Sequence, residues 1–161
     1  MKKINITTSG IVYDSIEELP SEDKILMKAA VEATSSSYSP YSNFKVGAAL
    51  LMEDDSVIIG SNQENAADPS GMCAERVAIW KASATYPNKK IKKIAIAANS
   101  PQKIVDKPVG PCGACRQALL EYEVKQEAAT EVLFMGEVGQ VVKVESVTAM
   151  LPFSFDGFYL P

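Results

Sequence analysis

The stretch Ile91-Lys92-Lys93-Ile94-Ala95-Ile96-Ala97-Ala98-Asn99 predicts a buried strand. Its apolar run from Ile94 to Ala98 is unbroken, which is typical of a strand covered by helices on both faces. Helical segments are predicted on either side of it along the chain, at residues 73–83 and at residues 112 to about 122. Alternation of strands and helices implies parallel crossover connections. We therefore expect an α/β fold with a mixed sheet sandwiched between helices.

Further predicted elements complete this sheet. They are a helix at residues 21 to about 36, strands at residues 45–52, 56–61, 131–136 and 140–147, and a short helical stretch around residues 146–151. With residues 91–99 these make five strands, joined in part by turns at Asp54-Asp55 and Gly139. Alternation in residues 4–6 and 11–13 around Ser9-Gly10 predicts an edge hairpin in the first twenty residues. Residues 1–161 are expected to form one domain, with residues 1–20 as an edge extension.

Composition narrows the class of protein. The chain has 161 residues, 47% of them apolar, and a net charge of −4. Its longest apolar runs, such as residues 46–52, are too short to span a bilayer, and Met1-Lys2-Lys3 is not followed by a signal-peptide core. The basic stretch at residues 89–93 is interpreted as a solvated strand entry, because a nucleic-acid groove needs positive charge spread along a path with aromatics between. We expect a soluble, cytoplasmic protein with no nucleic-acid or membrane partner.

The cysteines point to a metal. The chain has three cysteines and no histidine: Cys73, and then Cys112 and Cys115 within Pro111-Cys112-Gly113-Ala114-Cys115. A closed zinc site of four cysteine or histidine ligands is impossible within one subunit, so a fourth position falls to water, substrate or a carboxylate, as in catalytic zinc sites. Pro111 is expected in the first turn of a helix, and two helix starts would present partial positive charge to the thiolates. Structural thiols, or a disulfide with one cysteine left over, are the alternative, but neither needs this turn.

A glutamate beside the first cysteine, Glu75, adds a candidate proton carrier to the three candidate metal ligands. It lies two residues after Cys73, too close to share the metal easily with that cysteine, yet able to reach a water molecule in the open position. A cysteine or histidine, any residue and a glutamate, followed downstream by Pro-Cys-x-x-Cys, is the pattern of zinc deaminases. Glu75 is therefore predicted to act as general base and then as general acid.

With these residues the chain resembles the cytidine deaminases of the small, homotetrameric, three-cysteine zinc type, over residues 21–155. The matching segments are Tyr38-Ser39-Pro40-Tyr41-Ser42-Asn43-Phe44-Lys45-Val46-Gly47-Ala48-Ala49-Leu50, Gly60-Ser61-Asn62-Gln63-Glu64-Asn65-Ala66, Cys73-Ala74-Glu75-Arg76 and Pro111-Cys112-Gly113-Ala114-Cys115-Arg116-Gln117. The resemblance implies hydrolytic deamination of cytidine and deoxycytidine in pyrimidine salvage. It also implies one Zn²⁺ per subunit and a homotetramer whose subunits share active sites.

The resemblance also assigns substrate contacts. It implies that Asn62 and Glu64 hydrogen-bond the ribose 3′-hydroxyl, and that Phe44 packs against the pyrimidine ring. Phe155 of a neighbouring subunit would stack on the base, with Phe153 as a rival for that role. Without the resemblance, Asn62 and Glu64 could merely close a strand end, and Phe44 could be a core residue.

Two further contacts concern the metal end of the site. Main-chain groups near Ala74 and Cys112 are expected to hold the edge of the base. Three thiolates on Zn²⁺ sum to a charge of −1, so Arg76 is expected to donate a hydrogen bond to a thiolate sulfur and restore some acidity to the metal. The alternative for Arg76 is a surface salt bridge.

One position departs from the family pattern. Where many relatives place a tyrosine, this chain has Asp68, followed by Pro69. An aspartate there is expected to accept a hydrogen bond from a 5′-hydroxyl and to repel a 5′-phosphate. Two alternative functions stay open: deamination of another cytosine-containing small molecule, such as a blasticidin-type antibiotic, and a non-catalytic zinc-stabilised binding module.

Overall fold

A computed structural model describes residues 1–160. Six strands form one sheet in the order β1-β6-β5-β4-β2-β3. The strands are β1 Gly10–Tyr13, β2 Lys45–Met52, β3 Val57–Ser61, β4 Ile91–Asn99, β5 Glu131–Met135 and β6 Val141–Val144. Only the β4–β5 pair is parallel among neighbouring strands of the described residues. The sheet is therefore mixed, as predicted.

Three helices cover the two faces of this sheet. They are α1 Ser21–Ala33, α2 Ala74–Thr85 and α3 Gly113–Lys125, and short 3-10 turns lie at Ile16–Glu18, Thr34–Ser36, Thr148–Met150 and Gly157–Tyr159. Helix α1 packs on one face through Leu26, Met27 and Ala30. Helices α2 and α3 pack on the other, where Ile79 and Leu120 are buried. The predicted three-layer arrangement is confirmed.

Strand β4 lies inside the sheet and separates the two cores. Ile94 and Ile96 belong to the core under α2 and α3, whereas Ala95 and Ala97 face α1. All four are at most 1% exposed. The prediction that this run is buried on both faces is confirmed, because successive side chains of a strand point to opposite faces.

A glycine sets the distance between α2 and the sheet. A Cβ atom added at Gly60 in β3 would lie 2.6 Å from the carbonyl oxygen of Ala74 and 2.6 Å from the nitrogen of Ala78. Only a residue without a side chain allows this approach. The first turn of α2 is thereby held against the end of β3.

The N-terminal segment differs from the expectation. The predicted edge hairpin is wrong: residues 1–9 form no strand, and β1 pairs antiparallel with β6, giving six strands where five were expected. The reason is long-range, because the free edge of β6 offers Gly10–Tyr13 a partner that lies far along the chain. None of the helices within residues 1–160 is long and apolar enough to cross a membrane.

Candidate active site

The three thiols meet at the N-termini of two helices. Cys73 is the N-cap of α2, Cys112 is the N-cap of α3, and Cys115 lies in the first turn of α3. Pro111 precedes the cap instead of lying in the first turn, which corrects that detail of the prediction. The three Sγ atoms all lie within 4.8 Å of one another, and all three cysteines are free thiols. Thiolates about 2.3 Å from a tetrahedral zinc ion lie roughly 3.8 Å apart, so the set fits this metal with a small contraction.

The surroundings of the thiols favour metal binding. A hydrogen bond from the Cys115 thiol, with a second from Arg76, lowers the pKa of Cys73 to about 5 although burial opposes this. Donating that bond, together with burial, raises the pKa of Cys115. The unpaired N–H groups of both helix starts add partial positive charge. No other Cys, Asp or Glu of residues 1–160 joins this cluster, so the donor set leaves a fourth coordination position open.

Glu75 lies in the first turn of α2, next to the thiols. Its side chain is buried, with the residue 5% exposed, and it lines the same cavity as Cys73 and Cys112. Burial raises the pKa of this carboxyl, and the negative charge on Cys73 raises it further. A carboxyl group whose pKa is raised toward neutrality can both accept and return a proton.

Arg76 contacts sulfur and forms no ion pair with a carboxylate of residues 1–160. Its Nη2 donates a hydrogen bond to Cys73 Sγ at 3.5 Å, and the guanidinium lies 5.9 Å from the centroid of the Trp80 ring. The contact with Cys73 raises the pKa of Arg76, so this group keeps its charge. Positive charge beside a thiolate withdraws electron density from the sulfur.

Cys73, Cys112 and Glu75 open into a cavity of about 780 Å³, which the buried Cys115 does not line. The structure brings most of the predicted substrate contacts to this cavity. Its lining includes Phe44, Asn62, Glu64, Asp68, Cys73, Glu75, Arg76 and Cys112. Ala74 is buried and does not line the cavity. A volume of this size is in the range of cavities that hold small molecules, about 300–1,000 Å³.

The amide of Asn62 already holds three hydrogen bonds within the protein. Its Oδ1 accepts from the nitrogen of Val46 at 2.8 Å and from Ser37 Oγ at 2.6 Å. Its Nδ2 donates to the carbonyl oxygen of Phe44 at 2.9 Å. One N–H of the amide is left for a ligand. Asn62 therefore shapes the backbone that presents Phe44, a role that the sequence did not reveal.

Glu64 is likewise tied to the loop before β2. Its carboxylate accepts from the nitrogens of Tyr41 and Ser42, and from Ser42 Oγ. The bond from the Ser42 hydroxyl is the main reason why the pKa of Glu64 is lowered. Ser37 and Ser42 thus support the cavity but were missed as site residues. Ser42 lies within the segment that matches the family, whereas the signal for Ser37 is the Ser- and Pro-rich loop between α1 and β2.

Phe155 lies apart from the cavity of its own subunit. It is 58% exposed and stacks on Tyr159 with ring centroids 5.6 Å apart. Gln117 Nε2 of α3 donates to its carbonyl oxygen at 2.9 Å. Phe153 is 83% exposed, and neither phenylalanine lines the cavity. Within a single subunit the structure does not bring these two rings to the site.

Comparison with known proteins agrees with this geometry. Residues 20–130 match the family described as the cytidine and deoxycytidylate deaminase zinc-binding region. The chain belongs to this family. The match contains all three thiols, Glu75 and the loop before β2, and it begins after β1. Membership of the cytidine and deoxycytidylate deaminase family makes the three-thiol cluster the zinc centre of the chain, with one zinc ion per subunit.

Individual members of the family resemble the chain over most of its length. It is 42% identical to a cytidine deaminase of Halalkalibacterium halodurans over 132 residues, which cover 82% of this chain and 92% of that protein. It is 40% identical to a cytidine deaminase of Sporosarcina psychrophila over 107 residues, covering 66% and 69%. The crystal structure of cytidine deaminase from Burkholderia pseudomallei superposes with a TM-score of 0.70 at 38% identity, covering 81% of this chain and 97% of that one.

Proposed function

We propose that this protein is a zinc-dependent hydrolase that deaminates cytidine and deoxycytidine to uridine and deoxyuridine, releasing ammonia, in pyrimidine salvage in the cytoplasm. The observation that carries the proposal is the buried Glu75 carboxyl beside three converging thiols in a cavity of about 780 Å³. A purely structural metal has no use for such a carboxyl group. Relatives named cytidine deaminase at 42% and 40% identity support the substrate class.

The reaction requires a nucleophile and a proton carrier. Cys73, Cys112 and Cys115 would hold the zinc ion, which when bound supplies the Lewis acidity that makes water a nucleophile near neutral pH. Glu75 accepts a proton from that water and delivers a proton to N3 of the cytosine ring as C4 becomes tetrahedral. Glu75 then takes the proton of the new hydroxyl group on C4 and passes it to the amino group, which leaves as ammonia while C4 becomes the carbonyl carbon of uridine. The raised pKa of Glu75 suits both directions of transfer.

Substrate contacts follow from the lining of the cavity. The remaining N–H of Asn62 and the carboxylate of Glu64 would hydrogen-bond the ribose 3′-hydroxyl, and Phe44 would pack against the pyrimidine. Ala74 does not line the cavity, but its main-chain N–H, at the first helical position of α2, has no acceptor within the helix and would hold the edge of the base. A site built on such pairs rejects a free base that lacks the sugar.

Asp68 would select against nucleotides. It lines the cavity and adds a carboxylate where a 5′-phosphate would carry the same sign of charge. The measurement is a comparison of kcat/KM for cytidine and for CMP, with wild type and with Asp68→Asn. We expect CMP to be the poorer substrate and the gap to narrow in the variant. Equal turnover of the two compounds by wild type would remove this role.

The active protein would be a homotetramer in which Phe155 acts on a neighbouring site. Support comes from the exposed tail, where Phe153, Phe155, Phe158 and Tyr159 are each more than half exposed. Large exposed aromatic clusters mark contact surfaces. An aromatic ring supplied in this way would complete the cavity on the side that the subunit itself leaves open.

The function is tested by the ultraviolet absorbance of cytidine and deoxycytidine with purified wild type and Glu75→Gln, with zinc measured in both. Glutamine keeps the shape of the side chain but cannot carry the proton. We expect activity to fall by a factor of about 10²–10⁴ or more with zinc retained. A zinc-loaded wild type that leaves both nucleosides unchanged would contradict the proposal, and blasticidin-type antibiotics would then be the next substrates to assay.

A further inference from the structure

Arg116 joins the zinc turn to the far end of the chain. It follows Cys115 in α3 and points its guanidinium at two main-chain carbonyl groups. Nε donates to the carbonyl oxygen of Pro111 at 2.9 Å, and Nη1 donates to the carbonyl oxygen of Met150 at 3.0 Å. Pro111 is the residue before Cys112. Unlike Arg76, which donates to the Cys73 sulfur, Arg116 acts on the backbone that carries a thiol.

The Met150 end of this connection is itself held by a buried carboxylate. Glu123 of α3 is 6% exposed and accepts from the nitrogen of Val147 and from both the nitrogen and the hydroxyl of Thr148. It also accepts from the nitrogen of Thr130 at 2.9 Å. These donors take the place of water around the charge. They fix the 3-10 turn at Thr148–Met150 to the same helix that carries Arg116 and Cys115.

A residue of the N-terminal segment also bonds the 3-10 turn at Thr148–Met150. Thr8 Oγ1 donates to the carbonyl oxygen of Ala149 at 2.6 Å. Residues before 20 lie outside the family match, so this bond comes from a part of the chain that the family pattern does not include. The neighbouring carbonyl groups of Ala149 and Met150 thus accept hydrogen bonds from Thr8 and from Arg116, respectively.

We propose that Arg116 is a positioning residue that sets the backbone at Pro111 and Cys112 for zinc, using the Glu123-bound turn as its anchor. A metal site needs its ligands held closely, within about 0.5 Å of their working positions. Cys112 is the exposed member of the thiol cluster and, like Cys73, precedes the first residue of its helix, whereas Cys115 lies within α3. The forked guanidinium can serve two carbonyl groups at once, which an ammonium group on a flexible stem does poorly.

The measurement is the rate at which fully zinc-loaded protein releases its metal to an excess of a chromogenic chelator. We expect Arg116→Lys and Arg116→Gln to release zinc about 10- to 100-fold faster than wild type, the range found when partners of metal ligands are removed. Thr148→Val, which removes one donor to Glu123 and leaves the backbone bonds, should accelerate release about 2- to 10-fold. This mild change keeps the proposal testable if the arginine variants fail to fold.

The matched control is Lys125→Gln, in the last turn of the same helix. Lys125 Nζ also donates to a main-chain carbonyl oxygen, that of Pro87 at 3.3 Å, but at the end of α3 away from the thiols. Its loss should leave zinc release unchanged. Release from the Arg116 and Thr148 variants no faster than from Lys125→Gln would overturn the proposal. The inference rests on the proposed ligand role of Cys112, which fails separately if wild type binds no zinc.

Discussion

The thiol-bearing helix starts and the C-terminal tail differ in how far their own subunit covers them. Glu75 and Cys115 are at most 5% exposed. Phe155 is 58% exposed, and Gln117 alone among the side chains of residues 1–160 bonds its main chain. The proton carrier and one metal ligand are thus covered by their own subunit before any partner arrives. The Phe155 ring, which would contact the base beside Phe44, is left for a partner to place.

The largest effects on activity are expected from one substitution in each region, Glu75→Gln and Phe155→Ala, tested separately and then co-expressed on different subunits. Glu75→Gln should be nearly inactive, and Phe155→Ala should lose roughly 5- to 150-fold in kcat/KM, the equivalent of about 1–3 kcal/mol for aromatic stacking on a base. If Phe155 acts on a neighbouring site, co-expressed variants form some sites with an intact Glu75 and an intact Phe155. Activity per subunit should then exceed the average of the two separate variants.

The rival assignment is tested by the same design with Phe153→Ala. If Phe153 reaches the neighbouring site instead, recovery will appear with that variant and Phe155→Ala will retain most of its activity. A mixture that gives only the average activity for both phenylalanines would show that the tail does not act between subunits. Sedimentation of each variant shows whether assembly itself has been lost.

A side chain at Gly60 would disturb the first turn of α2 from the side of the sheet. An added methyl group would meet Ala74 and Ala78 at 2.6 Å, so α2 must move away from β3 or the strand must distort. Gly60→Ala should lower the free energy of unfolding by about 1–3 kcal/mol, as overpacking does. Activity should fall as well, because the displaced turn carries Cys73 and Glu75. Denaturant unfolding and kcat/KM measure the two effects.

Gly157→Ala is the control for that substitution, since nothing lies within 4 Å of a Cβ at this position. It should leave stability within about 0.5 kcal/mol of wild type, as exposed substitutions usually do. If Gly60→Ala is no more destabilising than Gly157→Ala, the close approach of α2 to β3 is not what holds the site in place.

The sequence predicted the parts of the site that depend on local order. Cys73, Glu75 and Pro111 to Cys115 form a short pattern with direct chemical meaning, and helical periodicity placed both helix starts to within a residue or two. It did not predict contacts made across long separations. The bonds from Ser37 to Asn62 and from Val147 to Glu123 join residues about two dozen positions apart, and no periodicity marks such pairs.

The same limit explains the errors in the sheet. Alternation around Ser9-Gly10 fits a hairpin locally, but β1 found its partner at β6, far along the chain. Strand β6 ends at Val144 instead of continuing to residue 147, because the Val147 nitrogen donates to the Glu123 carboxylate instead of to a strand. In both places a distant partner outweighed the local pattern.

The smallest effect on the site is expected from a charge cluster on the α1 side of the sheet. Asp23 is fully buried and bonds Lys93 and Lys143, while Glu131 pairs with both lysines and Glu22 pairs with Lys93. Burial alone would raise the pKa of Asp23, but the two lysine hydrogen bonds outweigh it and the pKa is lowered. A folded-state pKa below the unfolded value means that the ionised group stabilises the fold above about pH 4, and that this contribution disappears as pH falls through the folded pKa.

Asp23→Asn should therefore reduce the free energy of unfolding at pH 7 by about 3 kcal/mol, at the lower end of the range for breaking buried pairs because both lysines keep other partners. The difference between wild type and variant, measured on zinc-free protein, should shrink as the pH is lowered from 5 toward 3. Zinc release and kcat/KM at pH 7 should stay at wild-type values, since the sheet separates this cluster from the thiols. A stability difference that does not change with pH would show that the loss comes from packing, and altered zinc release would show that the two faces of the sheet are coupled.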